Sequence, residues 1–296
     1  MSKDTSQRFL FENLDVRGEI VYLEQSYQEI LSRHHYPTPV AMLLGEALAA
    51  SALLCSTLKF DGTLVLQARS DGPISLLMVE CNSNRQVRGI ARYEANHIKA
   101  TMSVDELMPQ AILVLTIDPT EGQRYQGIVS FEGGSLATSL TNYFASSEQL
   151  ATYFWLCADD KQARGLLLQA LPAEKELVPE QREITWQHLT TLAHSLAAQE
   201  MLKLNNQSIL QRLYSQEDIR LFEEQAIHFH CSCSRKHSAN ALLSLGEEDA
   251  KELLKEQQGQ ITIDCQFCNN RYVFDAADVT QLFKDGSSAP PSATKH

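Results

Sequence analysis

Cys231-Ser-Cys233-Ser-Arg-Lys-His237 and, beyond a gap of 31 residues after Cys233, Cys265-Gln-Phe-Cys268-Asn-Asn-Arg-Tyr272 are the two stretches that decide how this chain is built. Two thiol pairs of short internal spacing, separated by an insert long enough to fold, are how four sulfurs reach one tetrahedral metal. Thiolates suit soft or borderline metals, and Zn²⁺ is the usual tetrahedral choice. The spacing therefore predicts that Cys231, Cys233, Cys265 and Cys268 form a four-cysteine zinc site. The competing readings are four unrelated core cysteines, which a short polar segment does not favour, and an iron–sulfur cluster. His228, His230 and His237 lie close in sequence. With four sulfurs available they are expected to be bystanders or to support the ligands.

The single residue between Cys231 and Cys233 carries chemical information. A disulfide between them would close a small, strained ring, and strained disulfides are the more easily reduced ones. Such a pair in a reducing compartment is expected to be transient. Zinc would hold the thiolates deprotonated and protected, while a strong oxidant could still attack them. Losing the metal site costs a small zinc domain most of its folding energy. The same four atoms can be a structural clip and a redox fuse.

Around this cluster the chain divides by pattern. Residues 239–257 read as helix, and Ile261-Thr-Ile263 and Arg271-Tyr-Val-Phe274 flank the second pair as in a zinc-knuckle hairpin. From Asp285 the chain is Pro/Ser-rich and expected to be disordered. Upstream, Leu189, Leu192, Ala193 and Leu196 mark one face of a helix, and Ile209, Leu210, Leu213 and Tyr214 suggest a second. These helices need a surface to dock on. A polar break around Pro172 to Gln181 separates them from a mixed α and β region. There, Thr38-Pro39 opens a helix running to about Leu58. Strands are expected at Gly18–Leu23, Thr63–Ala68, Ile74–Glu80, Val87–Tyr93, Ala111–Ile117 and Tyr125–Phe131, then a helix from Ser135 to about Ala145. Leu150–Cys157 and Arg164–Leu171 form a plausible hairpin.

Composition sets outer bounds. The 296 residues (33.2 kDa) carry 25 Lys/Arg against 37 Asp/Glu, a net charge of −12. This disfavours nucleic acid and anionic membrane surfaces as partners. From Cys231 onward, seven Lys/Arg face nine Asp/Glu, so the cysteine segment does not read as a zinc ribbon for phosphates. The start lacks an apolar signal core, and the longest apolar stretch, Ala41 to Cys55, is short and interrupted by Glu46. A cytoplasmic location is the expectation. Cys55, Cys81 and Cys157 lie in apolar patterns and are expected to be buried and inert. His34-His35 reads as a surface turn, and the Asn206-Gln-Ser208 sequon as idle. There is no nucleotide loop, H-E-x-x-H or G-x-S-x-G, so enzyme chemistry is not expected.

With these residues in view, the sequence resembles the bacterial redox-regulated holdase chaperones, the thirty-three-kilodalton heat-shock protein family. The Cys-X-Cys and Cys-X-X-Cys pairs are the most specific mark. Val16-Arg-Gly-Glu19, Tyr36-Pro-Thr-Pro-Val40, Leu44-Gly-Glu46, Asp71-Gly-Pro73, Val79-Glu-Cys-Asn82, Arg88-Gly89, Ser147-Glu-Gln-Leu150 and Gly165-Leu-Leu-Leu-Gln169 are similar to signatures of its core domain. The likeness runs from about Arg8 to Phe283. It implies an α+β fold with antiparallel sheets: a core domain over 1–178, a helical linker over 179–229, a zinc redox switch over 230–284 and a disordered tail over 285–296. It also implies an ATP-independent chaperone, inactive when reduced and zinc-bound. Oxidation would form Cys231–Cys233 and Cys265–Cys268 disulfides, eject zinc, expose apolar surface and favour a homodimer. The oxidised form would hold unfolding client proteins and pass them to ATP-dependent chaperones. A thiol–disulfide oxidoreductase using Cys265 and Cys268, or a constitutive zinc adaptor, are the alternatives.

Overall fold

The apolar run that opens at Thr38-Pro39 is a helix, Thr38–Thr57, and the fold of the larger part of the chain is organised around it. Proline in the first turn costs no hydrogen bond there and presets the backbone. The helix is apolar nearly all round, which suits a position inside a core. Among the described residues it is the one helix long and apolar enough to cross a membrane, yet 83% of its most apolar window is buried within the protein. The structure, a computed structural model, describes residues 4–58, 61–131, 134–147, 150–175 and 178–286.

Backbone contacts divide the chain into two units, 1–230 and 231–296. In chain order the first contains β1 (Thr5–Phe11), β2 (Val16–Leu23), α1 (Gln25–Arg33), α2 (Thr38–Thr57), β3 (Gly62–Arg69), β4 (Ile74–Asn82), β5 (Gln86–Tyr93), α3 (Val104–Leu107), β6 (Ile112–Pro119) and β7 (Tyr125–Ser130). It continues with α4 (Leu136–Ser146), β8 (Thr152–Ala158), β9 (Ala163–Ala170), α5 (Pro179–His194), α6 (Ala198–Lys203), α7 (Asn206–Tyr214), β10 (Ile219–Leu221), β11 (Gln225–Ala226) and β12 (His228–Phe229). The second contains α8 (Arg235–Leu245), α9 (Glu247–Glu256), β13 (Gln260–Asp264), β14 (Arg271–Asp275) and α10 (Ala276–Gly286).

Among the described residues the first unit has two sheets. Sheet one runs β10-β1-β2-β9-β8, with β11 on the same edge of β1 as β10; sheet two runs β12-β5-β4-β3-β6-β7. All pairings are antiparallel except the short β5–β12 pair. Helix α2 packs against both sheets. Sheet two is covered on one face only, so β3 alternates between buried and partly exposed positions, and Ile112 and Ile128 stand exposed on the outside.

Sheet one is buried on both faces, which is why β9 reads Ala-Arg-Gly-Leu-Leu-Leu-Gln without alternation. One face meets α2. Against the other, Phe9, Phe11, Val16, Ile20, Leu166 and Leu168 pack on Leu189, Ala193, Leu196, Ile209, Leu210, Leu213 and Tyr214 of the helices after Pro179. Phe9 lies directly across Gly18, where a Cβ would sit 1.9 Å from the ring. Both tryptophans of the chain are in this seam: Trp155 stacks on Tyr153, Tyr153 also meets Trp186, and the His194 ring stands edge-on to Tyr153 and Trp155.

Two strong local devices escape pattern reading. The buried Asp4 carboxylate accepts the backbone N–H groups of Glu24, Gln25 and Ser26 at 2.5–2.8 Å, capping α1 from the residue just before β1. The buried Asp15 carboxylate accepts the N–H groups of Glu174 and Lys175, and the Lys175 ammonium reaches the carbonyls of Phe11, Glu12 and Leu14. Together they tie the segment before α5 to the β1–β2 turn.

In the second unit the expected single helix over 239–257 is two helices. Gly246 breaks it at φ +101°, a left-handed conformation that favours glycine. The expected hairpin is β13–β14, paired from Gln260↔Asp275 to Asp264↔Arg271. Leu242, Ala250, Ile261, Phe274 and Val279 form its small core. Of the expected disordered tail, residues 287–296 lie outside the described residues.

Candidate metal centre

Cys265 and Cys268 occupy the turn of the β13–β14 hairpin. The Cys265 N–H donates to Asn270 O and the Asn269 N–H donates back to Cys265 O, with Asn269 at φ +57°. That closed turn brings the two sulfurs to one side. Cys231 and Cys233 lie just before α8, where Ser234 is extended (φ −153°, ψ 161°) and its hydroxyl accepts from the His237 N–H at 3.2 Å. The one-residue gap leaves both thiols of this pair beside the hairpin turn, each within reach of one of its cysteines.

The four Sγ atoms lie within 4.8 Å of one another. Cys231 Sγ is 3.6 Å from Cys265 Sγ, and Cys233 Sγ is 3.3 Å from Cys268 Sγ. A tetrahedral zinc with Zn–S bonds near 2.3 Å separates its sulfurs by about 3.8 Å, so this cluster could hold a metal ion. Cys268 is buried and the other three are partly exposed.

The cluster is propped by polar neighbours. The Tyr272 hydroxyl donates to Cys233 Sγ at 3.1 Å. Arg271 of β14 grips the Asp264 carboxylate of β13 with two hydrogen bonds of 2.8 and 3.0 Å, closing the hairpin beside the turn. Arg235, at the start of α8, bonds Asp278 and lies over the Phe274 ring, fastening the Cys-X-Cys side to the hairpin core.

Electrostatics separates the thiols. Burial pushes Cys231 and Cys268 up from the ordinary thiol range; the three neighbouring thiols add to this at Cys268, while at Cys231 they pull both ways. Burial also acts to raise Cys233, but hydrogen bonds from Tyr272 and the other thiols outweigh it and bring it to about 7. Cys233 thus becomes a thiolate, the form that binds metal and reacts with oxidants, more readily than Cys231 or Cys268.

The remaining sequence candidates fall elsewhere. His237 Nδ1 is engaged with Ser232 O at 3.0 Å, and among the described residues no histidine joins the metal-ligand grouping. His228 belongs to β12. Cys55, Cys81 and Cys157 are buried in the first unit. His34 is in ring contact with Tyr36. Asn206 is buried and donates to Gln7. Tyr272 and Arg271 were missed as site residues. Their proximity to Cys268 in sequence was a signal, but only the hairpin register shows which side chains turn toward the sulfurs.

A family model described as Hsp33 protein matches residues 4–275. The chain is 64% identical over 293 residues to the 33 kDa chaperonin of Pseudomonas paraeruginosa, covering 99% of each chain. It is 60% identical over 293 residues to the 33 kDa chaperonin of Azotobacter vinelandii, again covering 99% of each. Among solved structures, the 33 kDa chaperonin (heat shock protein 33 homolog) of Thermotoga maritima is similar in fold, with a TM-score of 0.80 at 22% identity, covering 96% of this chain and 99% of that one.

Proposed function

The chain belongs to the Hsp33 family, and from that premise we propose that this Hsp33-type chaperone is a redox-switched, ATP-independent holdase whose switch is the Cys231, Cys233, Cys265, Cys268 cluster. The observation that carries the reading is the convergence of four thiols within 4.8 Å in a unit with a very small apolar core. Zinc bound there would hold the thiolates deprotonated and add the folding energy that such a core lacks.

Oxidation to Cys231–Cys233 and Cys265–Cys268 disulfides removes the donor set. Each thiolate pair gives two electrons to the oxidant and forms one S–S bond; peroxide takes those electrons and two protons from solvent, its O–O bond breaking to give two waters. Residues 230–284 then lose their clip, and the helices over 179–229 are the layer whose release from the core domain, 1–178, would uncover the apolar face of sheet one for unfolding clients. In this proposal the oxidised form is a homodimer, later hands clients to ATP-dependent chaperones, and works in the cytoplasm, where reduction resets it. We assign it no catalytic turnover. The hairpin turn around Cys265 supports that choice, because a catalytic Cys-X-X-Cys commonly sits at the start of a helix.

One experiment tests the set. Purified reduced protein is treated with hypochlorite or peroxide, and zinc release, free thiols and suppression of client aggregation are followed on the same sample. All three should change together, and peptide mapping should return the two sequence-local disulfides. Zinc loss with no gain in aggregation suppression, or intact regulation in Cys231→Ser and Cys268→Ser, would sink the proposal.

A further inference from the structure

A cavity of about 500 Å³ lies wholly within the first unit, between the end of α2, the exposed edge of sheet one and the β4–β5 turn. Arg8, Glu19, Ser56, Arg85, Phe222 and Glu223 line it. Ligand sites are commonly of this size. Two of its polar atoms, Ser56 Oγ and Arg85 Nε, are buried without a hydrogen-bond partner. Buried donors are nearly always satisfied, so two orphans lining one cavity point to an acceptor supplied from within it.

The position of Arg85 is fixed by its backbone. It holds φ +57°, donates its N–H to Asn82 O at 2.8 Å and accepts the His228 N–H at 3.1 Å. The Asn82 side chain ties the same turn by accepting from the N–H groups of Asn84 and Gln86 at 3.0 Å. A non-glycine residue at positive φ is uncommon and gathers at sites that need one particular side-chain direction. Across the cavity the Arg8 guanidinium lies over the Phe222 ring at 5.4 Å. Arg17, also near Glu19, is already committed to Gln169 and the Thr57 carbonyl. Arg8 and Arg85 are therefore the cations that face the space.

We propose that this cavity binds a small ligand bearing an oxyanion, a carboxylate or a phosphate ester, whose oxygens accept from Arg85 Nε and Ser56 Oγ with Arg8 closing over them. The arginine fork matches both anions. Glu19 sits in the wall, and burial pushes its carboxyl up to about 7 despite Arg8 and Arg17, so near neutrality it is partly protonated and can donate as well. Glu223, exposed at the rim, opposes an anion.

The test uses the full reduced chain, titrated at constant ionic strength with pyrophosphate in one arm and citrate in the other. The Arg85 Nε–Hε resonance is followed by NMR. A saturable shift is expected, and the arm that saturates at lower concentration assigns the phosphate or the carboxylate class. Arg85→Gln should weaken binding at least about tenfold and Ser56→Ala about threefold, while Glu223→Gln should tighten it about threefold. Melting curves check that each variant is folded, and Ser56→Ala and Glu223→Gln carry the test if Arg85→Gln is not. No saturable shift up to about 10 mM of either anion, or binding indifferent to the folded variants, overturns the proposal. Neither result bears on the cysteine switch.

Discussion

The Tyr272 hydroxyl donates its proton to the sulfur of Cys233 at 3.1 Å. Groups that hydrogen-bond a metal's ligands orient them and tune their basicity, and their loss typically costs ten- to hundredfold in affinity. Tyr272→Phe should therefore weaken zinc binding about tenfold in competition with a chromophoric chelator, with little change in secondary structure. Glu46 poses a different single-residue problem. It sits on the core helix α2, and burial pushes its carboxyl up to about 7 from an ordinary 4.5. An acid whose folded pKa is raised binds its proton more tightly in the folded state. Relative stability is thus fullest below pH 4.5 and is lost as pH rises through 7. Glu46→Gln should raise the stability of the first unit by about 1–2 kcal/mol at pH 8 and leave it nearly unchanged at pH 4.5, read from denaturant midpoints at the two pH values. Leu44-Gly-Glu46 shows the charge in the sequence, but only packing shows that it is half-buried among apolar neighbours of α2.

Helices α5 and α7 contribute little stability alone and depend on the face they cover. Leu189 is fully buried where α5 meets sheet one. Leu189→Ala should cost about 2–5 kcal/mol and speed amide exchange across α5, α6 and α7, while leaving exchange in β3 to β7 unchanged. A uniform rise across both sheets would contradict a separately detachable layer. The legibility of each element follows from where its stabilising contacts lie. Helix α2 and the individual strands β3 to β7 are readable because apolar period and turn residues are local signals, whereas the pairing of β6 with β3 rather than β5 is not local. The cysteines are readable too, since ligand spacing is itself a sequence property. Strand β1 and helix α1 were not expected. Asp4 caps α1 across 20 residues or more, and β1 is flanked by β10, which lies more than 200 residues away. The break between α8 and α9 hinges on Gly246, whose positive φ is a backbone fact that Leu-Gly-Glu alone does not announce.

At the scale of the whole chain, the two units differ in how much core they own. The first surrounds α2 with apolar residues from both sheets, whereas the second relies on Leu242, Ala250, Ile261, Phe274, Val279 and a few partly buried neighbours. Stripping metal from reduced protein with a chelator should therefore unfold 231–286 while 4–175 stays protected, as read by hydrogen-exchange mass spectrometry; retained protection around Cys265 would show that the metal is dispensable for folding. The net charge of −12 should keep the opened form in solution. The aromatic seam of sheet one adds a practical dividend. Trp155 and Trp186 are the only indoles in the chain, and both sit where α5 meets β8. Tryptophan fluorescence of the unlabelled protein, excited beyond tyrosine absorption, is therefore not an average over the fold but an optical gauge of one joint, able to time its opening against thiol loss without any probe attached.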